Sequence, residues 1–477
     1  MHHKSRLALV IAVLVPTAVA FSQTLPQGVR KGGQAVSQGE AFDVAPSNIE
    51  SRLTRARVAS GMKVVLLPKR TRGGTVVAQV TLRFGDEKSL FGKSAAAQLA
   101  GNLLMRGTRS KMRLQIQEEA NRLQAQINVS GGIDSATATV ETVEANLAGA
   151  LRLAAEILRQ PSFPETEFEQ MRQQRIANIE AGRGEQQMLA SLAISRHLAS
   201  IYPRGDLRYA PTPDEQIADL KKVTLDEVYR FYAQFYGASY ADLVVVGQFD
   251  RVEVQKLAAE LFGDWKSPSP YQQALTPYRK VAPMNRNIET PDKQNAVFVA
   301  AMFVKLSDED PDYPALLLAN YMLGGWPGAR LFKRIRVSEG LTYSVLSVLQ
   351  VPTRDDGGVF AGTSICAPQN VPKVEASFKD ELARTLKDGF AADEVAAAKK
   401  AWLQEQSVAR SKDQTLAATL SQRECYGRTM KFDEALEAKV AALTPAQVSD
   451  AFRRRIDPSA LSYVRAGDFK KAGILQE

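Results

Sequence analysis

Hydrophobic and polar positions along this chain switch between two periods. Runs that alternate, or stay apolar throughout, read as strands: "MKVVLLPKR" (62–70) and, after a Gly-Gly turn, "TVVAQVTLRFG" (75–85). An Ala-rich helix that stops at a glycine follows, "SAAAQLAGNLLMRGT" (94–108). "GGIDSATATVETV" (131–143) returns to strand alternation, and "ANLAGALRLAAEILRQ" (145–160) has helical spacing. "FPETEFEQMRQQRIANIEAGRG" (163–184) opens with Pro164 and acidic residues and ends near glycine, so it predicts a second long helix.

The same order then recurs. "NAVFVAAMFV" (295–304) reads as a strand and "YPALLLANYMLGG" (313–325) as a helix. "LTYSVLSVLQV" (341–351) and "GGVFAGTSICA" (357–367) read as strands, followed by helices from "VEASFKDELARTL" and "ADEVAAAKKAWLQEQSVARS". Two stretches align without a gap at an offset of 220, "VTLDEVYRFYAQFYGASYADLVVVGQFD" (223–250) and "LTPAQVSDAFRRRIDPSALSYVRAGDFK" (443–470). Thr224 meets Thr444, Val244 meets Val464, and Gly247 meets Gly467. The period is far longer than that of a solenoid, so the pattern predicts a tandem duplication. The expected fold class is α+β: two homologous halves, each a mixed sheet with helices on one side, arranged as a clamshell with a cleft between them.

The boundaries expected are a signal peptide over 1–22, a loose polar leader over 23–45, a first half over 46–265, a Pro-rich linker over 266–290, and a second half over 291–477. The signal peptide is read from a basic start, the apolar run "LALVIAVLVPTAVA", and small residues that allow cleavage after Ala20 or Ser22. It predicts export, with the periplasm as the expected compartment.

Composition adds little to this picture, and charge adds less. The 477 residues are 45% hydrophobic and 24% charged, as in ordinary soluble domains. The net charge of +9 is spread along the chain, with no basic block that would mark a nucleic-acid interface. Two cysteines, Cys366 and Cys425, are too few for a disulfide-built scaffold and are expected to be free or partly buried thiols. Histidine decides more. Of three, His2 and His3 leave with the signal peptide, so the mature chain keeps His197 alone. Chemistry that needs two imidazoles is excluded, and no G-x-S-x-G, Walker loop or G-x-G-x-x-G is present. An S-x-x-K spacing in "SGMK" (60–63) opens a strand and lacks companion motifs.

The duplicated plan resembles the insulinase/pitrilysin family of zinc peptidases over nearly the whole mature chain. In active members the first-half helix carries H-x-x-E-H ahead of an apolar pair and a Gly-Thr ending. Here "LLMRGT" ends the same frame, so Gln98 and Asn102 fall on the two His positions and Gly101 on the Glu position. The third ligand, a Glu of the later long helix, falls on Asn178. Amides are weak zinc ligands, and glycine offers no general base, a role that contributes about 10²–10⁴ in rate. The resemblance therefore implies a peptidase scaffold that binds no metal and whose helix is kept for packing. In the second half, "GGWPGARLFKRIRVSEGLTYSV" is similar to the family's Gly-rich loop with an Arg and, seven residues on, a Tyr: Arg336 and Tyr343. In the family this pair reaches toward the substrate backbone, where both side chains can donate to a carbonyl. Trp326 and Pro327 depart from the small residues usual in that loop. Some members of the family are two-chain machines. The resemblance thus implies a metal-free, substrate-binding subunit paired with a homologous chain that carries zinc. A non-enzymatic scaffold or peptide-binding protein is the alternative.

Overall fold

The computed structural model describes residues 39–474; the signal-peptide reading and most of the leader lie outside them. The first half runs α1 (Pro46–Arg52), β1 (Thr54–Arg57), β2 (Lys63–Pro68), β3 (Thr75–Arg83), α2 (Ser94–Leu103), α3 (Arg113–Arg122), β4 (Gln126–Gly131), β5 (Ser135–Val143), α4 (Leu147–Arg159), α5 (Glu165–Gly182), α6 (Gln186–Leu198), α7 (Pro213–Lys222), α8 (Leu225–Phe235), β6 (Asp242–Gly247) and α9 (Arg251–Phe262). The second half runs β7 (Asn285–Glu289), β8 (Ala296–Lys305), α10 (Tyr313–Asn320), β9 (Thr342–Gln350), β10 (Gly357–Cys366), α11 (Val371–Asp388), α12 (Ala392–Ser411), α13 (Asp413–Tyr426), α14 (Lys431–Ala442), α15 (Pro445–Arg455) and β11 (Ser462–Gly467).

The sheets repeat one topology. Their orders are β1-β2-β6-β3-β5-β4 and β7-β11-β8-β10-β9. Each is antiparallel except for one parallel pair, β2 with β6 and β7 with β11. The 220-residue offset holds locally as well. Thr224 and Thr444 both cap their helices in reciprocal boxes, with Glu227 and Gln447 as the returning partners. This is the α+β fold of two tandem halves, arranged as a two-halved clamshell.

What holds the halves together is an exchange of helices. First-half α6 lies across β8 and β11 of the second sheet, where Ala190, Ile194 and Leu198 pack on Val297, Val299 and Val464. Second-half α13 lies across β3 and β6 of the first sheet, where Leu416 and Leu420 pack on Val77, Val244 and Val246. Each sheet is thus covered on both faces. That explains why β6 and β8 read as near-continuous apolar runs instead of alternating. The Pro-rich linker is tied down along its length. Gly85 pairs with Tyr271, the His197 imidazole meets the Ala282 carbonyl at 2.7 Å, and residues 285–289 form β7. Cys366 is buried, Cys425 is half-buried, and both are free. No helix among the described residues is long and apolar enough to cross a membrane.

Candidate functional site

α2 brings Gln98, Gly101 and Asn102 to the first-half position read from the sequence. Gly101 is buried and presses on the end of edge strand β4. A Cβ at Gly101 would lie 2.4 Å from the Gly131 Cα, and one at Gly131 would lie 2.8 Å from the buried Tyr236 hydroxyl. Helix and strand meet backbone to backbone, which only glycine allows. The second half makes the same contact: a Cβ at Gly324, in the π-helical extension of α10, would lie 2.4 Å from the Ser347 amide nitrogen of β9. The position of a general base has become a packing contact.

Gln98 and Asn102 are half-buried on one face of α2, a turn apart. The Gln98 carbonyl oxygen, the atom that would face a metal, accepts a hydrogen bond from the Arg175 guanidinium of α5. Asn178, one turn beyond Arg175, is exposed and accepts from the Gln174 amide at 2.9 Å. A zinc ion needs anionic or imidazole donors. Here the donors are amides and a cation already occupies one of them, so these residues do not fit the metal. Among the described residues no group of three His, Cys, Asp or Glu is placed to hold one.

Sequence reasoning missed Arg175. The signal was there: none of its helical neighbours at 171, 172, 178 and 179 is acidic, so α5 offers it no ion pair. Burial pulls it below the usual arginine value.

The structure brings Arg336 and Tyr343 together at the start of edge strand β9. The Arg336 guanidinium donates to the main-chain carbonyls of Thr342, at 3.3 Å, and of Tyr343, and its Cζ lies 5.7 Å from the Phe332 ring centroid. The Tyr343 side chain points outward, with the residue 63% exposed. Arg336 therefore fixes the strand that carries Tyr343, and its hydrogen bonds stay within the second half. In the Gly-rich loop Trp326 stacks on Tyr321 with ring centroids 5.5 Å apart at 11°. Gly328 makes room for that indole, since a Cβ there would lie 2.5 Å from it. The base of the loop is clamped by Arg330, which bonds both carboxylate oxygens of Glu394 at 2.8 and 2.6 Å.

Residues 222–401 match the family model described as the Peptidase M16 inactive domain. Over these residues the chain carries an M16 peptidase inactive domain. The match covers the end of the first half and the start of the second, so the state of α2 is read from its own residues. An uncharacterized zinc protease of Streptomyces coelicolor is 30% identical over 234 residues, 47% of this chain and 50% of that protein. The zinc protease PqqE of Helicobacter pylori is 24% identical over 45% of this chain and 49% of its own length. The non-peptidase homolog YmxG of the same organism is 22% identical over 56% of this chain and 60% of its own length. The chain thus spans about half the length of the first two. A solved M16 inactive domain from Pseudomonas fluorescens superposes with a TM-score of 0.77 at 23% identity, covering 87% of this chain and 97% of that one. The periplasmic protease PqqL of Escherichia coli gives 0.70 at 14% identity, over 93% of this chain and 47% of PqqL. These two are likenesses of fold. Together with the degenerate α2, the M16 match describes a non-catalytic, peptidase-derived protein.

Proposed function

We propose that this chain is the non-catalytic, substrate-binding subunit of a heterodimeric zinc metallopeptidase that degrades peptides, pairing with a homologous M16 chain that carries H-x-x-E-H. The observation that carries this reading is the exposed Tyr343, on an edge strand whose first carbonyls Arg336 holds in place. A phenol set this way is free to donate to the carbonyl of an extended peptide held against the partner. The partner's zinc would polarise that carbonyl and activate water. In this chain's share of the work Tyr343 binds the peptide and Arg336 positions Tyr343.

The boundaries 46–265 and 291–477 mark the two halves in this reading, 266–290 joins them and ends in β7 of the second sheet, and residues 1–22 direct export to the periplasm. The periplasmic PqqL neighbour supports that compartment. A non-enzymatic scaffold or peptide-binding role is the second reading, favoured by the relatives named as a non-peptidase homolog and as a probable inactive metalloprotease.

The test is native mass spectrometry with metal analysis on the chain isolated from its host. A one-to-one complex with a similar-sized chain and one zinc is expected. Tyr343→Phe and Arg336→Ala should then lower turnover of the pair, Tyr343→Phe by about 10² if its hydroxyl acts as an oxyanion donor, with assembly intact. A metal-free chain without a partner would leave the scaffold reading in its place.

A further inference from the structure

Most arginines drawn into the interior of this protein face carboxylates, and Arg279 lies instead over the Tyr202 and Phe303 rings, at 5.1 and 4.8 Å from their centroids. Arg83 meets Asp242, Arg410 meets Glu437, Arg423 meets Asp433, Arg428 meets Asp308, and Arg465 meets Glu375. Arg175 differs. No carboxylate among the described residues lies within ion-pair distance of it, Gln98 is the hydrogen-bond partner of its guanidinium, and its Nε is buried with none. A desolvated guanidinium bonded to one neutral amide is electrostatically incomplete. The gap is not closed from α5, which has no acid one turn away on either side, nor from α2, where the facing residues are Gln98 and Asn102. The site is reachable, because Asn178 and Gln174 beside it are exposed.

We propose that the degenerate metal position of the first half is a carboxylate-binding site, in which the Arg175 guanidinium pairs with the anion and the Gln98 and Asn102 amides flank it. A fixed two-pronged cation suits a carboxylate, which can accept two parallel N–H bonds. The carboxylate comes from a peptide, either its C-terminal α-carboxylate or an Asp or Glu side chain; this source rests on the peptide-binding reading, whereas the anion site itself rests on Arg175 alone. Where active relatives place a metal cation, this chain supplies a cation of its own.

The experiment uses the full chain at fixed ionic strength and neutral pH, with three probes: N-acetyl-glycylglycine, its C-terminal amide, and N-acetyl-aspartyl amide. Melting temperature and calorimetric titration are read for the wild type, Arg175→Met and Gln98→Glu. The wild type is expected to bind at least one acid about tenfold or more tighter than the neutral amide, the size of a charge-assisted pair. Binding of the first acid assigns the α-carboxylate, and binding of the third the side chain. Arg175→Met should lose the discrimination. Gln98→Glu supplies an internal carboxylate, so it should melt higher than wild type and also lose the acid response, which keeps the test decisive if Arg175→Met folds poorly. Equal affinity for acid and amide in the wild type, or an acid response that survives both substitutions, would overturn the proposal. Neither result depends on a partner or on Arg336 and Tyr343, so the subunit reading stands or falls separately.

Discussion

The two halves share one topology and one glycine contact, yet they differ in what surrounds it. In the second half, Gly324 lets the helix end approach β9, and the strand beyond offers Tyr343 to the outside. In the first half, Gly101 makes the same approach to β4, and behind it stand Gln98, Asn102 and the unpaired Arg175. The difference teaches what happened to the metal frame. The first half does not merely lack the four side chains of the metal frame; it has taken on the packing that its sister half uses, and that packing leaves no space for the missing base. The exchanged helices differ too. The seam of α6 is apolar, with a surface pair from Lys293 to Glu185 at 2.7 Å. The seam of α13 adds charge to its apolar contacts: Arg83 pairs with Asp242, Arg55 reaches both Glu50 and Glu424, and Glu50 accepts the Met430 amide at 3.0 Å.

The largest effect should come from cutting the exchange itself. Ile194 of α6 and Leu420 of α13 are both buried, at 0% and 1% exposure, each against the other half's sheet. Ile194→Ala and Leu420→Ala should each destabilise by about 2–5 kcal/mol. Since each helix bridges the halves, both variants should still melt in one cooperative transition by urea titration. A split into two transitions in one variant alone would show that the seams are unequal partners in holding the molecule together. Next in size are the paired glycines. In an open helix Gly→Ala gains about 1 kcal/mol. At Gly101 and Gly324 the new methyl meets backbone, so each alanine should instead cost about 1–3 kcal/mol. A stabilised Gly101→Ala protein would break the parallel between the halves, and with it the argument that the base position is sterically closed.

Much of this was legible beforehand. The helix of 392–411 falls on the residues its pattern marked, and the 220 offset survives as paired caps at Thr224 and Thr444. Local periodicity and capping chemistry are written in neighbouring residues, so they can be read from them. Edge strand β4, "QINVSG", was not read, because it is short and polar and takes its place from pairing with β5. The helix exchange was not read either. The apolar face of α6 says that it is covered, and nothing in it says by which sheet. The helix of Gly101 was read as kept for packing, but the contact that Gly101 itself makes was not, because its partner Gly131 stands thirty residues away and only the fold brings it near. For Arg175 the absence of an acid one turn away is written in α5, but that no other element pairs it shows only in the fold.

The smallest effect expected is the one that separates the two seams by pH. Burial alone would raise the Glu50 carboxyl, but the Arg55 hydrogen bond and the Met430 amide, helped by the charges of Arg55 and Lys431, outweigh it and hold the group below the ordinary value of 4.5. A depressed carboxylate contributes stability that is present above its unfolded value and is lost as pH falls through its folded one. The contribution should therefore be complete at neutral pH and fade below about pH 4.5. Glu50 ties α1 to the start of α14, across the halves and beside the α13 seam, whereas the lowered carboxylate at α6, Glu215, pairs with Arg196 inside the first half and ties it to nothing in the second. Amide exchange corrected for intrinsic rate should show α13 losing protection earlier than α6 as the solution is acidified. Glu50→Gln should lower stability at neutral pH by about 1 kcal/mol and narrow that gap. Loss of protection in step at both helices, unchanged in Glu50→Gln, would mean that the charged seam is no more acid-sensitive than the apolar one.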